Sequence, residues 1–133
     1  MATLRTASLG IGVIAATVVA STVTLATPAA ARHGGDGVIN RGSCSQAGSW
    51  KLKAKHDDGR LEVEFEVDTN RVGQRFKVRL SDNREVFFRD RRTTRAPSGS
   101  FEVESRTANR AGTDVIRGRA VRGDNVCRGK VRL

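Results

Sequence analysis

The chain has no tyrosine, one tryptophan, two prolines, two histidines and two cysteines among its 133 residues, and its 14 acidic side chains are outnumbered by 24 lysines and arginines. Two imidazoles leave acid-base catalysis thinly equipped. His33 stands among glycines, and His56 lies at a turn beside Asp57 and Asp58 with no Ser or Cys nucleophile set near it by a recognisable motif. Neither cysteine has a second ligand in CxxC or CxxH spacing, which argues against a metal site or a catalytic thiol. Asp57, Asp58, Asp82 and Asn83 do not have the spacing of a calcium loop. Glu62, Glu64 and Glu66 alternate along one open strand face, with no cleft to make them glycosidase carboxylates. No catalytic residue, metal or cofactor is therefore expected. After the N-terminal region the chain also lacks any helical periodicity.

What it does have is a period of two. In Trp50–Asp68, Trp50, Leu52 and Ala54 alternate with Lys51, Lys53 and Lys55; beyond His56-Asp57-Asp58-Gly59, Leu61, Val63, Phe65 and Val67 alternate with Glu62, Glu64 and Glu66. Two alternating runs joined by a short Asp/Gly loop predict a β-hairpin, apolar on one side and charged on the other. A lone hairpin is marginal in water, so its apolar side requires a second sheet.

The longest apolar run, Leu9 to Ala20, follows Arg5 and precedes the small residues Ala29, Ala30 and Ala31. Basic, apolar and small segments in that order predict a signal peptide over residues 1–31, cleaved after Ala31; an uncleaved anchor is the alternative, since Leu9 to Ala26 is nearly long enough to span a bilayer. Only one basic residue, Arg5, belongs to that leader, so nearly all of the net charge of +10 lies in the remainder. Residues 32–43 are Gly-rich and aperiodic and are expected to form a flexible leader to a domain at 44–133. In an exported chain Cys44 and Cys127 are most simply a disulfide, enclosing almost the whole domain.

Alternation continues along the chain. Phe76, Val78 and Leu80 share a face; Arg84 to Asp90 is a shorter strand of ambiguous facing; Arg91 to Gly99 is a loop. Phe101 and Val103, then Ile116, Gly118 and Ala120, then Cys127, Gly129, Val131 and Leu133 face inward in the last three strands. About seven short strands at roughly ten-residue spacing predict an all-β, antiparallel sandwich of one domain.

The stretch AGTDVIRGRA, Ala111 to Ala120, resembles the sixth strand of bacterial immunoglobulin-like and fibronectin type III-like modules. The wider chain, with its leader, cysteine pair and WKLKAKHDDGRLEVEFEVD, RVGQRFKVRL and APSGSFEVE segments, is similar to small secreted β-sandwich proteins of high-GC Gram-positive bacteria. The resemblance implies architecture, not activity. It departs from the antibody pattern: there is no tyrosine corner, the cysteines do not join the second and sixth strands, and Trp50 opens the first strand.

Lettering the strands A to G under that resemblance puts A, B and E in one sheet and C, F and G in the other. The outward residues of the second sheet are then Arg75, Lys77, Arg79, Arg117, Arg119, Arg128, Lys130 and Arg132, with no acid among them. The first sheet mixes Lys51, Lys53 and Lys55 with Glu62, Glu64, Glu66, Glu102 and Glu104. A GC-rich coding bias would scatter arginine over both faces. Segregation on this scale instead predicts a polyanion-binding face. Its partners would be anionic cell-wall polymers, acidic polysaccharides, anionic lipid head groups or extracellular DNA. The basic strands offer no outward aromatic for base stacking and no recognition helix, so sequence-specific nucleic-acid reading is not expected. The expectation is a secreted, monomeric, non-catalytic binding or structural module; the alternatives are a protein-protein interaction module pairing through an edge strand and a weak hydrolase using His56.

Overall fold

A computed structural model describes residues 37–133. The signal-peptide reading of residues 1–31, and His33, lie outside the described residues. Eight strands form: β1 Val38–Ser43, β2 Ser49–Asp57, β3 Arg60–Asp68, β4 Arg75–Asp82, β5 Glu85–Thr93, β6 Ser100–Ala108, β7 Val115–Arg122 and β8 Asn125–Arg132. They make two four-stranded antiparallel sheets, β1-β2-β3-β6 and β5-β4-β7-β8, packed as a sandwich.

The count is eight, not seven. Val38–Ser43, assigned from sequence to the flexible leader, is an edge strand whose backbone pairs with β2 from Val38↔Ala54 to Ser43↔Ser49. β5 also runs on to Thr93, so part of the expected 91–99 loop is strand.

The opening hairpin turns on Asp58 and Gly59 alone, both with φ in the left-handed region at 46° and 74°. That is the two-residue turn whose twist matches the flanking strands. The β4-β5 hairpin has the same form at Asn83 and Arg84, and Arg84 holds φ at 78°, a conformation that costs a side-chain-bearing residue about 1 to 2 kcal/mol. Asn83 offsets part of this cost: its Oδ1 accepts from the Val115 N–H at 3.2 Å and its Nδ2 donates to the Thr113 carbonyl at 3.1 Å.

The core is the set that alternation assigns. Leu52, Leu61, Val63, Phe65, Val67, Phe76, Leu80, Ile116 and Ala120 are fully buried, with Phe101, Val103 and Val131 beside them. Phe65 on β3 lies over Gly118 on β7, where an added Cβ would stand 2.8 Å from the ring. Trp50 spans one edge of the sandwich between Gly42 of β1 and Gly129 of β8, and its Nε1 donates to the Ser43 carbonyl at 3.2 Å. The Cys44–Cys127 disulfide closes the same edge. Nearby, Ser45 N donates to the Val126 carbonyl at 2.8 Å and Asn40 Nδ2 to the Lys130 carbonyl at 3.0 Å.

Candidate functional site

The two outer faces differ in how their charges are matched. On the β1-β2-β3-β6 sheet, register sets each β2 lysine opposite a β3 glutamate: Lys51↔Glu66, Lys53↔Glu64 and Lys55↔Glu62. All three are ion pairs, at 2.7, 3.6 and 2.8 Å. Arg106 of β6 adds contacts to Asp57 at 2.7 Å and Glu62 at 3.3 Å. Hydrogen bonds to these partners raise the Lys51 and Lys55 pKa values, through Glu66 and Glu62, and lower that of Glu62, chiefly through Lys55. The face carries both signs in similar number, and its β2 lysines are all paired, while Glu102 and Glu104 of β6 stand opposite Glu66 and Glu64 outside any ion pair among the described residues. Such exposed pairs contribute only a few tenths of a kcal/mol each, about 0.2 to 1.

The outer face of β5-β4-β7-β8 has no such matching. Arg75, Lys77, Arg79, Arg117, Arg128, Lys130 and Arg132 are exposed and Arg119 is half-buried, alternating with the buried Phe76, Val78, Leu80, Ile116, Gly118, Ala120, Cys127, Gly129 and Val131. All eight residues expected from sequence thus lie on one face. Two more join them: Arg89 and Arg91 of β5, opposite Arg79 and Lys77. Sequence reasoning missed Arg91 because it was assigned to the 91–99 loop, and Arg89 because β5 contains a bulge. Leu80 pairs with Phe88 but Ser81 with Val86, leaving Phe87 as the extra residue and reversing the alternation within one strand.

Register arranges these residues in rows. Arg79 pairs with Arg89 on one side and Arg119 on the other, and Arg119 pairs with Arg128, so four arginines cross the whole sheet. Arg117 stands opposite Lys130. Among the described residues, no ion pair includes any of these ten basic side chains. Like charges side by side oppose folding, so this sheet carries repulsion that an anion would relieve. A depression of about 650 Å³ lies over Lys77, Arg79, Arg89, Arg91 and Arg119, and a smaller one of about 260 Å³ over Arg79, Arg117, Arg119 and Arg128. Asp90 borders the larger depression, but its carboxylate is engaged by the Arg91 N–H and by Arg92, which hold its pKa below the usual range.

A second ionisable cluster is internal. The carboxyls of Asp82, at the end of β4, and Asp114, just before β7, are each 1% exposed, and both Asp82 oxygens and Asp114 Oδ1 have no hydrogen-bond donor. Burial and then the Asp114 charge push the Asp82 pKa up, with Arg110, itself paired to Glu85 at 2.6 Å, opposing in part. A folded-state pKa above the unfolded value makes this site's contribution to stability fullest below the ordinary aspartate value of 3.8 and lost as pH rises through the elevated folded value. Asp82→Asn is accordingly expected to be more stable than the parent at neutral pH, with the difference shrinking on acidification toward the ordinary aspartate range. Thermal melts of both proteins across that range check this. Loss of the Glu62 pair in acid affects both alike and drops out of the comparison.

His56 is exposed, opposite Leu61 in the first hairpin, and among the described residues no three His, Cys, Asp or Glu side chains gather as a metal cluster. No helix of the described residues is long and apolar enough to cross a membrane. No protein-family model matches the chain, and no curated protein or solved structure matches it.

Proposed function

We propose that the chain is a secreted, non-catalytic module of immunoglobulin-like or fibronectin type III-like topology that binds anionic cell-surface polymers through the outer face of its β5-β4-β7-β8 sheet. The division of charge carries this reading. One sheet pairs its lysines with glutamates in register, while the other leaves ten basic side chains without an acidic partner. The basic-apolar-small order of the leader and the Cys44–Cys127 bridge support export to an oxidising compartment. The sheet orders support the topology. With β2, β3 and β6 as A, B and E, and β4, β7 and β8 as C, F and G, β5 takes the place beside C that C′ holds in variable-type domains.

Pairing through the β5 edge is the weaker reading. The bulge at Phe87, and the charged Asp90 and Arg92 opposite the buried Val78 and Phe76, are devices that discourage strand addition.

Binding to an anionic cell-wall polymer should be governed by counterion release. With about six contacts to phosphate-like groups, affinity falls roughly a thousandfold between about 50 and 200 mM salt. Charge reversal at Arg117, Arg119 and Lys130 should abolish it. Binding insensitive to salt and to that reversal would remove the basic face from the account.

A further inference from the structure

The two depressions on the basic face share a wall. Lys77, Arg89 and Arg91 border only the larger, Arg117 and Arg128 only the smaller, and Arg79 and Arg119 border both. The cross-strand pair Arg79↔Arg119 explains this, because one hollow lies on its Lys77 side and the other on its Ser81 side. Passing from one to the other advances two residues along β4, about 6.7 Å, and steps one strand toward β8, about 4.8 Å, a diagonal of roughly 8 Å. That advance is on the scale of one extended phosphodiester repeat built on three carbons.

The chemistry of the wall selects phosphate. Each phosphorus in a phosphodiester carries two unesterified oxygens pointing apart in a tetrahedron, so guanidinium forks on opposite sides can each take one. A carboxylate's acceptor sites all lie in one plane, so a second guanidinium must approach in that plane and not from the opposite side. The side chains bordering the hollows include Val78 and Val121 but no aromatic ring, so a polymer with bases would find no aromatic platform and could stack only on guanidinium planes already engaged with phosphate.

We infer that Arg79 and Arg119 form the central clamp of a two-subsite groove that holds consecutive phosphates of a linear, base-free phosphodiester chain. This rests on the polyanion reading above and assigns its ligand class and its specificity-determining residues.

The probe is a fluorescent oligomer of 1,3-propanediol phosphate, titrated by anisotropy against the full chain at about 0.15 M salt. Arg79→Ala/Arg119→Ala is expected to weaken binding at least about tenfold, whereas Arg75→Ala/Arg132→Ala, which removes equal charge from the ends of the face, costs about threefold or less. Arg79→Lys/Arg119→Lys keeps the charge but not the forks and should lie between parent and alanine pair. Equal losses for the central and peripheral alanine pairs, or a lysine pair that binds like the parent, would overturn the clamp. Equal affinity for poly-glutamate of matched charge would overturn the phosphate assignment. A markedly tighter complex with oligothymidylate of the same length would overturn the base-free one. Failure of every polyanion to bind even at low salt would instead sink the polyanion reading itself.

Discussion

Cys44→Ala/Cys127→Ala is expected to lower the free energy of unfolding by about 4 to 5 kcal/mol, a large part of the roughly 5 to 15 kcal/mol typical of small domains. The size follows from the 83 positions that separate the cysteines, since a bridge over so long a loop removes much of the unfolded chain's freedom. The folded edge has other ties. Asn125 Oδ1 accepts from the Gln46 N–H at 3.0 Å, its Nδ2 donates to the Ala47 carbonyl at 2.8 Å, and Ser45 Oγ accepts from Val126 N at 2.9 Å. The variant should therefore keep its native circular dichroism while its urea midpoint drops and its m-value rises, because the freed unfolded chain exposes more surface. An unfolding free energy within about 1 kcal/mol of the parent's would show that the loop is already restrained by residual structure.

Phe65→Ala is expected to cost about 3 to 5 kcal/mol, and Gly118→Ala about 1 to 3 kcal/mol by overpacking. These two positions are one contact seen from opposite sheets: Phe65 is fully buried, and a Cβ at 118 would come within 2.8 Å of its ring. The double variant Phe65→Ala/Gly118→Val places the new side chain in the vacated space. It should be more stable than Phe65→Ala, with a coupling of about 1 kcal/mol or more in a double-mutant cycle closed by the single variant Gly118→Val. Additive losses would mean that the ring relaxes away from Gly118 and that the two sheets do not meet there as described.

Much of this arrangement was legible in the chain. The inward residues of β2, β3, β4, β6, β7 and β8 are those of the alternating apolar series, because a side chain in a two-layer sandwich has only two directions to take. The outward direction of the eight basic residues followed by parity, and their sharing one sheet was what the immunoglobulin-like resemblance implied. β1 was not legible, since VINRGS has no apolar alternation; its side chains are mostly exposed, and it is fixed through backbone pairing with β2, which carries no side-chain signature. Arg89 escaped because the bulge at Phe87 breaks parity within β5, and Arg91 because β5 continues to Thr93 through residues read as a loop. The acid pair Asp82 and Asp114 was also hidden. Each looks like a turn residue in sequence, and only the β4-β7 pairing, which reaches Asp82↔Ile116, brings the two strand ends together.

The central claim is that the two sheets treat their positive charge differently, and matched neutralisation tests it most directly. Arg79→Gln/Arg117→Gln/Arg119→Gln and Lys51→Gln/Lys53→Gln/Lys55→Gln each remove three positive charges, the first set unpaired and the second set already held by Glu66, Glu64 and Glu62. The quantity to measure is the slope of log affinity against log salt for an anionic phosphodiester polymer. The arginine triple should flatten that slope by about 2 to 3, and the lysine triple should leave it as in the parent. Equal flattening by both would contradict the account, for the polymer would then be reading net charge and not a face.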